Sequence, residues 1–266
     1  MQYGICTLSI VPVRMQPADA SEMVSQLLFG EYFKILEERG KWSRIRIAFD
    51  SCEGWVSNNQ IEKIDQTTFE HQFEHTPLYS ADLIEFIGAE GGNLIHIPMG
   101  SMLNYATQVN RSVFEGQTIS GVKDKAHLVE TAALYLNTPY LWGGKTPFGI
   151  DCSGLTQMVY MLNGHFLKRN AAQQATQGEA LSFIEESEPG DLAFFDDNDG
   201  NIIHVGIMMQ DNYIIHVDGK VRIDRIDHSG IYNVDFRKHT HKLRVMKKIF
   251  EKPFTKKAAQ KAALLL

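Results

Sequence analysis

The sequence predicts an α+β chain, with small all-β barrels in front and a mixed helix-and-sheet domain behind them. Three observations carry that expectation. Residues 1 to about 65 hold short apolar runs parted by turn signals, the pattern of a small barrel. From Lys123 the apolar spacing changes from a period of two to one near 3.6. After the Gly-rich approach Trp142-Gly143-Gly144-Lys145 comes one more helical pattern and then a series of strand-like runs. The 266 residues suit one large or two to three small domains, and 44% hydrophobic content is enough to build real cores.

Within the first 65 residues the runs are Thr7–Val13, Leu27–Gly30, Tyr32–Leu36, Trp42–Ala48 and Gly54–Val56, with a turn at Glu37–Gly40. Across Trp42–Ile47, Trp42, Arg44 and Arg46 alternate with Ser43, Ile45 and Ile47 on opposite faces of a strand. Residues 66–118 repeat the theme, with strands expected at Leu83–Ile87, Asn93–Ile97 and Ser112–Phe114. They read as a second, diverged barrel; the alternative is an insertion packed on the first. The third domain is expected over 119–252. It opens with a helix on Ala126, Val129, Ala133, Leu134 and Leu136 that stops at Asn137-Thr138-Pro139. A second helix follows over Ser153–Leu162, with Leu155, Val159 and Leu162 on one apolar face. Strands are expected at Leu192–Phe195, Asn201–Met209, Tyr213–Val217, Val221–Ile226 and Leu243–Val245. Residues 253–266 read as a Lys- and Ala-rich tail.

Charge and composition exclude several classes. A net charge of −6 argues against nucleic acid and against a broad anionic membrane surface. No apolar run reaches the ~20 residues of a membrane span. The N-terminus lacks a basic leader with an apolar core, so a cytoplasmic protein is expected, or a periplasmic one whose leader has been removed. Cys6, Cys52 and Cys152 match no zinc spacing and cannot all pair, so free thiols are expected, with no metal and no cofactor.

The chemistry centres on Gly149-Ile150-Asp151-Cys152-Ser153-Gly154. With Asp151 as N-cap, Cys152 is the first helical residue, where unpaired N–H groups and the helix dipole lower a thiol pKa. The other reading is a buried structural cysteine. His204 and His216 each sit in a β-branched run, around a short turn at Gln210-Asp211-Asn212. A hairpin centred on Gln210 sets them directly opposite each other, on one face. Cys152 as nucleophile, His204 as base and His216 as orienter make a thiol hydrolase, with Asp218 the competing orienter. The Cys152 N–H and the Tyr140 hydroxyl are candidate oxyanion donors.

Two resemblances follow from these residues. Leu28-Phe29-Gly30-Glu31, Gly40-Lys41-Trp42 and Gly54-Trp55-Val56 resemble the bacterial SH3-like domain. Asp151-Cys152-Ser153-Gly154, with His204 and His216 behind it, is similar to the NlpC-like cysteine peptidases. That resemblance implies a papain-like fold, a Cys-His-His triad and cleavage of bacterial cell-wall peptides. Thr138-Pro139-Tyr140-Leu141-Trp142-Gly143-Gly144, behind two SH3-like domains, resembles the γ-D-glutamyl-L-diamino acid endopeptidase branch of dipeptidyl-peptidase VI type. The branch implies an enzyme of murein peptide recycling, cutting after γ-D-Glu in peptides that begin with free L-Ala; a monomer is expected. It also implies that Asp151 and Glu22 bind the amine, that Trp142 walls the subsite and that Ser153 helps hold the ligand. Two positions depart from the branch: Cys52 stands where a Tyr is usual, and Ala172 where a Ser is usual. They put the strictness of amino-terminal selection in question. The alternatives are a non-catalytic cell-wall binding protein, a thioester-forming acyltransferase, and a zinc enzyme using His204, His216 and Cys152.

Overall fold

Alternating burial along Ser43–Ile47, with Ser43, Ile45 and Ile47 buried and Arg44 exposed, shows how the first unit is built. The computed structural model describes residues 2–88, 92–108 and 112–249. It divides into two units between Gly121 and Val122. The expected tail at 253–266 lies outside the described residues.

In the first unit, seven strands form one sheet. They are β1 (Gln2–Ile5), β2 (Ile10–Arg14), β3 (Met23–Leu28), β4 (Tyr32–Arg39), β5 (Trp42–Ile47), β6 (Glu53–Ser57) and β7 (Glu62–Ile64), in the order β3-β2-β6-β5-β4-β1-β7. The result is an SH3-like barrel around Val11, Val13, Leu27, Phe33, Ile45, Ile47 and Val56. β4 runs on to Arg39, which pairs with Trp42, so the turn tightens to Gly40-Lys41, where Gly40 takes φ +58°.

Beyond it come α1 (Gln66–His71), β8 (Leu78–Ser80), β9 (Ile84–Gly88), β10 (Leu94–Pro98), α2 (Asn104–Gln108) and β11 (Thr118–Ser120). The strands pair as two ribbons, β9 with β10 and β8 with β11. Phe29 of the barrel region shares a core with Ile87, Ile97, Leu103 and Ala106, and Tyr3 and Tyr32 share one with Phe69 and Tyr105. The strand expected at 112–114 does not form. Phe114 makes a single bridge to Ile87, and Val113 stays 65% exposed, so burial does not hold the run in a ladder.

The second unit carries α3 (Ala126–Ala133), the short strands β12 (Lys145–Thr146) and β13 (Gly149–Ile150), α4 (Cys152–Leu162) and α5 (Ala171–Gln174). Its sheet holds β14 (Glu179–Leu181), β15 (Leu192–Asp196), β16 (Ile202–Met208), β17 (Tyr213–Asp218), β18 (Lys220–Asp227), β19 (Gly230–Asn233) and β20 (Lys238–Lys248). The order is β14-β20-β15-β16-β17-β18-β19, and β19 also pairs with β20, so six strands close on themselves. Ala193, Phe195, Met208, Ile214, Ile226, Ile231 and Met246 fill the interior. α3 and α4 pack together, and both contact β16. Residues 153 to 162 of α4 are buried on every side, not along one stripe. Each large apolar side chain there contributes about 1.5–3 kcal/mol by leaving water.

The hairpin register differs from the expected one. The loop is Gln210-Asp211-Asn212 as expected, but its centre is Asp211. Asp211 and Asn212 both take positive φ, and Met209 pairs with Tyr213. The partner of His216 is therefore Gly206 rather than His204. A two-residue shift keeps both histidines on one face and makes them diagonal neighbours. No helix among the described residues is long and apolar enough to cross a membrane.

Candidate active site

Asp151 explains why α4 starts where it does. It is extended, as an N-cap must be, and its Oδ1 accepts the Gly154 N–H at 2.6 Å. Oδ1 also accepts the Ser153 hydroxyl at 3.2 Å and an Arg169 N–H at 3.0 Å. Oδ2 accepts the Gly143 N–H and a second Arg169 N–H, both at 2.8 Å. Arg169 thus holds the carboxylate with both prongs of its guanidinium, the geometry that favours a buried pair. Gln174 adds a tie from α5, donating to the Ser153 carbonyl at 2.9 Å and accepting from the Thr156 hydroxyl at 2.7 Å. Gly154 has to be glycine, because a Cβ there would stand 2.3 Å from the Gly144 carbonyl oxygen.

Cys152 is the first helical residue and is partly exposed. The backbone N–H groups of Val205 and Ser153 act on its sulfur, which places the thiol beside the step after His204. The expected lowering of its pKa is reversed. Burial first, then the Asp151 carboxylate, push the thiol up to about 12, against the pull of those N–H groups and of Arg169. The resting group is a neutral thiol.

The imidazoles form a chain. His204 Nε2 lies 3.0 Å from His216 Nδ1, and His216 Nε2 lies 3.0 Å from Asp224 Oδ2. Asp224 is held by Arg222, with Nε 2.7 Å from Oδ2 and an Nη2–H donated to Oδ1 at 3.0 Å. Burial raises the Asp224 pKa, but the bonds and charges of His216 and Arg222 outweigh it, so the carboxyl lies below its usual range. An ionised Asp224 can only accept, so the tautomer of His216 that fits it carries the proton on Nε2 and offers a lone pair at Nδ1. His204 must then donate through Nε2, which leaves its own Nδ1 as a bare lone pair. Burial first, then His241 and His216, hold the His204 pKa well below the ordinary imidazole value, so it is a neutral base. Gly206 makes room for the pair: a Cβ there would come within 3.0 Å of both Ile214 and His216.

A thiol on a helix N-terminus, set against a strand whose histidine ends such a chain, is the arrangement of a thiol peptidase. Comparison with known proteins agrees. Residues 137–244 match the NlpC/P60 family, and residues 13–61 match the bacterial dipeptidyl-peptidase SH3 domain. The chain carries an NlpC/P60 cysteine peptidase domain behind an SH3-like one. A γ-D-glutamyl-L-lysine dipeptidyl-peptidase of Bacillus subtilis is 25% identical over 239 residues, 81% of this chain and 75% of that protein. Dipeptidyl-peptidase 6 of Lysinibacillus sphaericus is 26% identical over 245 residues, 80% of this chain and 87% of that one. The crystal structure of an NlpC/P60 family protein from Bacillus cereus ATCC 10987 has the same fold, with a TM-score of 0.75 at 15% identity, covering 92% of this chain and 99% of that one.

In the NlpC/P60 domain, Tyr140 is 44% exposed. Burial first, then the nearby Cys152 and Asp151, raise its hydroxyl pKa. Trp142 is exposed and Ser153 is buried against Asp151. Glu22 belongs to the SH3-like unit, exposed just ahead of β3, with its carbonyl accepting the Met15 N–H. Asp218, the orienter weighed against His216, acts through its charge on His241 rather than through a bond to His204 or His216 among the described residues. Sequence reasoning missed Asp224, Arg222 and His241. His241 stacks on His204, with ring centroids 4.2 Å apart, and lies edge-on to His216 at 5.5 Å. The Thr240-His241 pair is bonded, hydroxyl to Nδ1, at 2.9 Å.

Proposed function

We propose that this NlpC/P60 domain hydrolyses the bond between γ-D-Glu and the diamino acid in murein peptides with a free N-terminal L-Ala, in cell-wall peptide recycling. The observation that carries the reading is the chain Asp224–His216–His204, which leaves a lone pair at His204 Nδ1 on the strand beside Cys152. In this mechanism His204 Nδ1 takes the thiol proton as the sulfur attacks the γ-D-Glu carbonyl carbon. The Cys152 N–H and the Tyr140 hydroxyl donate to the oxyanion that forms. The imidazolium then gives its proton to the leaving amine of the diamino acid, and a thioester remains on Cys152. Water, deprotonated by His204, attacks that thioester and releases the acid. Because thiol and imidazole start neutral, the ion pair forms during attack. Its positive half is stabilised through His216 by Asp224.

The dipeptidyl-peptidase relatives support the substrate class. A buried ammonium group needs negative charge near it. Asp151 lies beside the sulfur and supplies negative field, although its oxygens already hold several hydrogens. Trp142 and Ser153 are assigned to the rest of the ligand. The test is mass spectrometry of the products from L-Ala-γ-D-Glu-diamino acid peptides with the amine free or acetylated. Cleavage of the free peptide alone, abolished in Cys152→Ala, is expected. Equal cleavage of both peptides would overturn amine recognition. Activity retained in Cys152→Ala would overturn the thiol mechanism.

A further inference from the structure

His241 has no part in the mechanism above, yet it completes a cluster. His204, His216 and His241 each offer a ring nitrogen, and the three nitrogens lie within 4.8 Å of one another. We propose that these three imidazoles form a binding site for one divalent transition-metal ion of the zinc class, and that the ion switches the peptidase off.

The spacing suits such an ion. Zinc–nitrogen bonds of ~2.0–2.1 Å in a tetrahedron set ligand nitrogens about 3.3–3.4 Å apart. The His204 Nε2 to His216 Nδ1 separation is 3.0 Å, so that pair has to open by only a few tenths of an ångström. His216 Nδ1 already presents a lone pair. An outer shell is also in place, since ligating histidines are normally steered by a bond at their other nitrogen. Asp224 holds His216 Nε2 at 3.0 Å, and the Thr240 hydroxyl holds His241 Nδ1 at 2.9 Å, which leaves Nε2 as the ligand atom of His241. Three neutral imidazoles suit zinc, copper or nickel better than magnesium or calcium, which prefer oxygen. His241 is partly exposed while His204 and His216 are buried, so the ion enters past His241.

The switch follows from one proton. His204 now carries its proton on Nε2. To bind the ion there, that proton leaves and Nδ1 takes one from solvent, so the ring stays neutral. A ring protonated at Nδ1 cannot accept the thiol proton. The metal–nitrogen bond replaces the His204–His216 hydrogen bond, and chelation of the ion reverses each change.

Binding stands apart from the peptidase reading, while the loss of activity rests on it, so the experiment separates the two. The full chain is titrated with Zn2+ by calorimetry and with Co2+ by visible absorption, and Zn2+ inhibition is followed in the peptide assay. The expected result is one ion per chain, ligand-field bands of a low-coordinate cobalt site, and inhibition over the same concentration range that EDTA reverses. His241→Phe, which keeps the stack on His204, should weaken both binding and inhibition by about 10–100-fold. Its metal-free kcat/KM is measured in parallel, so that inhibition is read as a ratio within each variant. His241→Gln is the second variant, and thermal melting confirms that each is folded. Cys152→Ala should still bind the ion. No saturable binding, undiminished binding by both His241 variants, or loss of binding in Cys152→Ala would each overturn the site. Binding without inhibition would overturn the switch alone.

Discussion

Two Asp–Arg pairs, each with a buried carboxylate, flank Cys152 and His204, and they do different jobs. Asp151 and Arg169 are joined through both oxygens, and the remaining acceptor capacity is taken by Gly143, Ser153 and Gly154. Nothing there is left to move, so the pair fixes the first turn of α4 and with it the sulfur. In Asp224 and Arg222, one carboxylate oxygen is shared between the guanidinium and His216 Nε2. That sharing converts an ion pair into a choice of tautomer two rings away. The same residue types make a brace where every lone pair is spent locally, and a relay where one is spent on an imidazole.

Variants can break that contrast, and the largest effect belongs to the brace. Arg169→Met leaves a buried carboxylate unpaired and should cost about 3–5 kcal/mol of stability. Urea unfolding reads this as a lowered midpoint with an unchanged slope. A loss below about 1 kcal/mol would mean that Asp151 needs no partner. For the relay, Asp224→Asn keeps the shape but can donate to His216 Nε2 and invert both tautomers. It should lower kcat by about 10²–10⁴-fold while the melting temperature moves little. A full loss of folding with normal activity per folded molecule would make Asp224 a second brace. Asp235 is the exposed end of the relay, 2.8 Å from Arg222. Asp235→Asn should change stability by less than about 1 kcal/mol, with kcat nearly unaltered.

The pH dependence sharpens the comparison further. Burial, then His216, lower the His241 pKa to about 4, against the opposing charges of Asp218 and Asp224, and His204 is lowered as well. Below about pH 6.5 the unfolded chain binds protons at these rings that the folded chain refuses. Stability therefore holds above about 6.5 and falls with pH through the folded-state values, to about 4 for His241. The acid limb of kcat/KM should likewise lie below the ordinary imidazole value. A limb centred at or above about 6.5 would show that His204 is not the neutral base described.

Much of this was legible in the sequence because it is local. The N-cap at Asp151, the helix over 152–162 and the loop at 210–212 are set by neighbours within a few residues. The register differs because the turn pivots on Asp211 and Asn212, which adopt positive φ, and not on Gln210. Asp224 was missed because β18 inverts the usual reading. Ile223 is 38% exposed while Asp224, one step on, is buried at 2%. Hydrophobicity alone points Ile223 inward, and only the neighbouring strand shows that a carboxylate is needed beneath His216. His241 comes from β20, which reaches the histidines through barrel closure, a pairing with no trace in local pattern. The thiol pKa failed for a related reason: the helix terminus was visible, and the burial around it was not.

Closure of the six strands also bears on how the molecule breathes. The hairpin that carries His204 and His216 has a paired neighbour on each side, β15 and β18, so neither of its edges can peel away alone. Amide hydrogens of Val205–Met208 and Ile214–His216 should exchange with deuterium only when the whole ring of strands opens at once. The two-stranded ribbons of the first unit lack that cooperation and should exchange through small local excursions, long before the β16–β17 hairpin does.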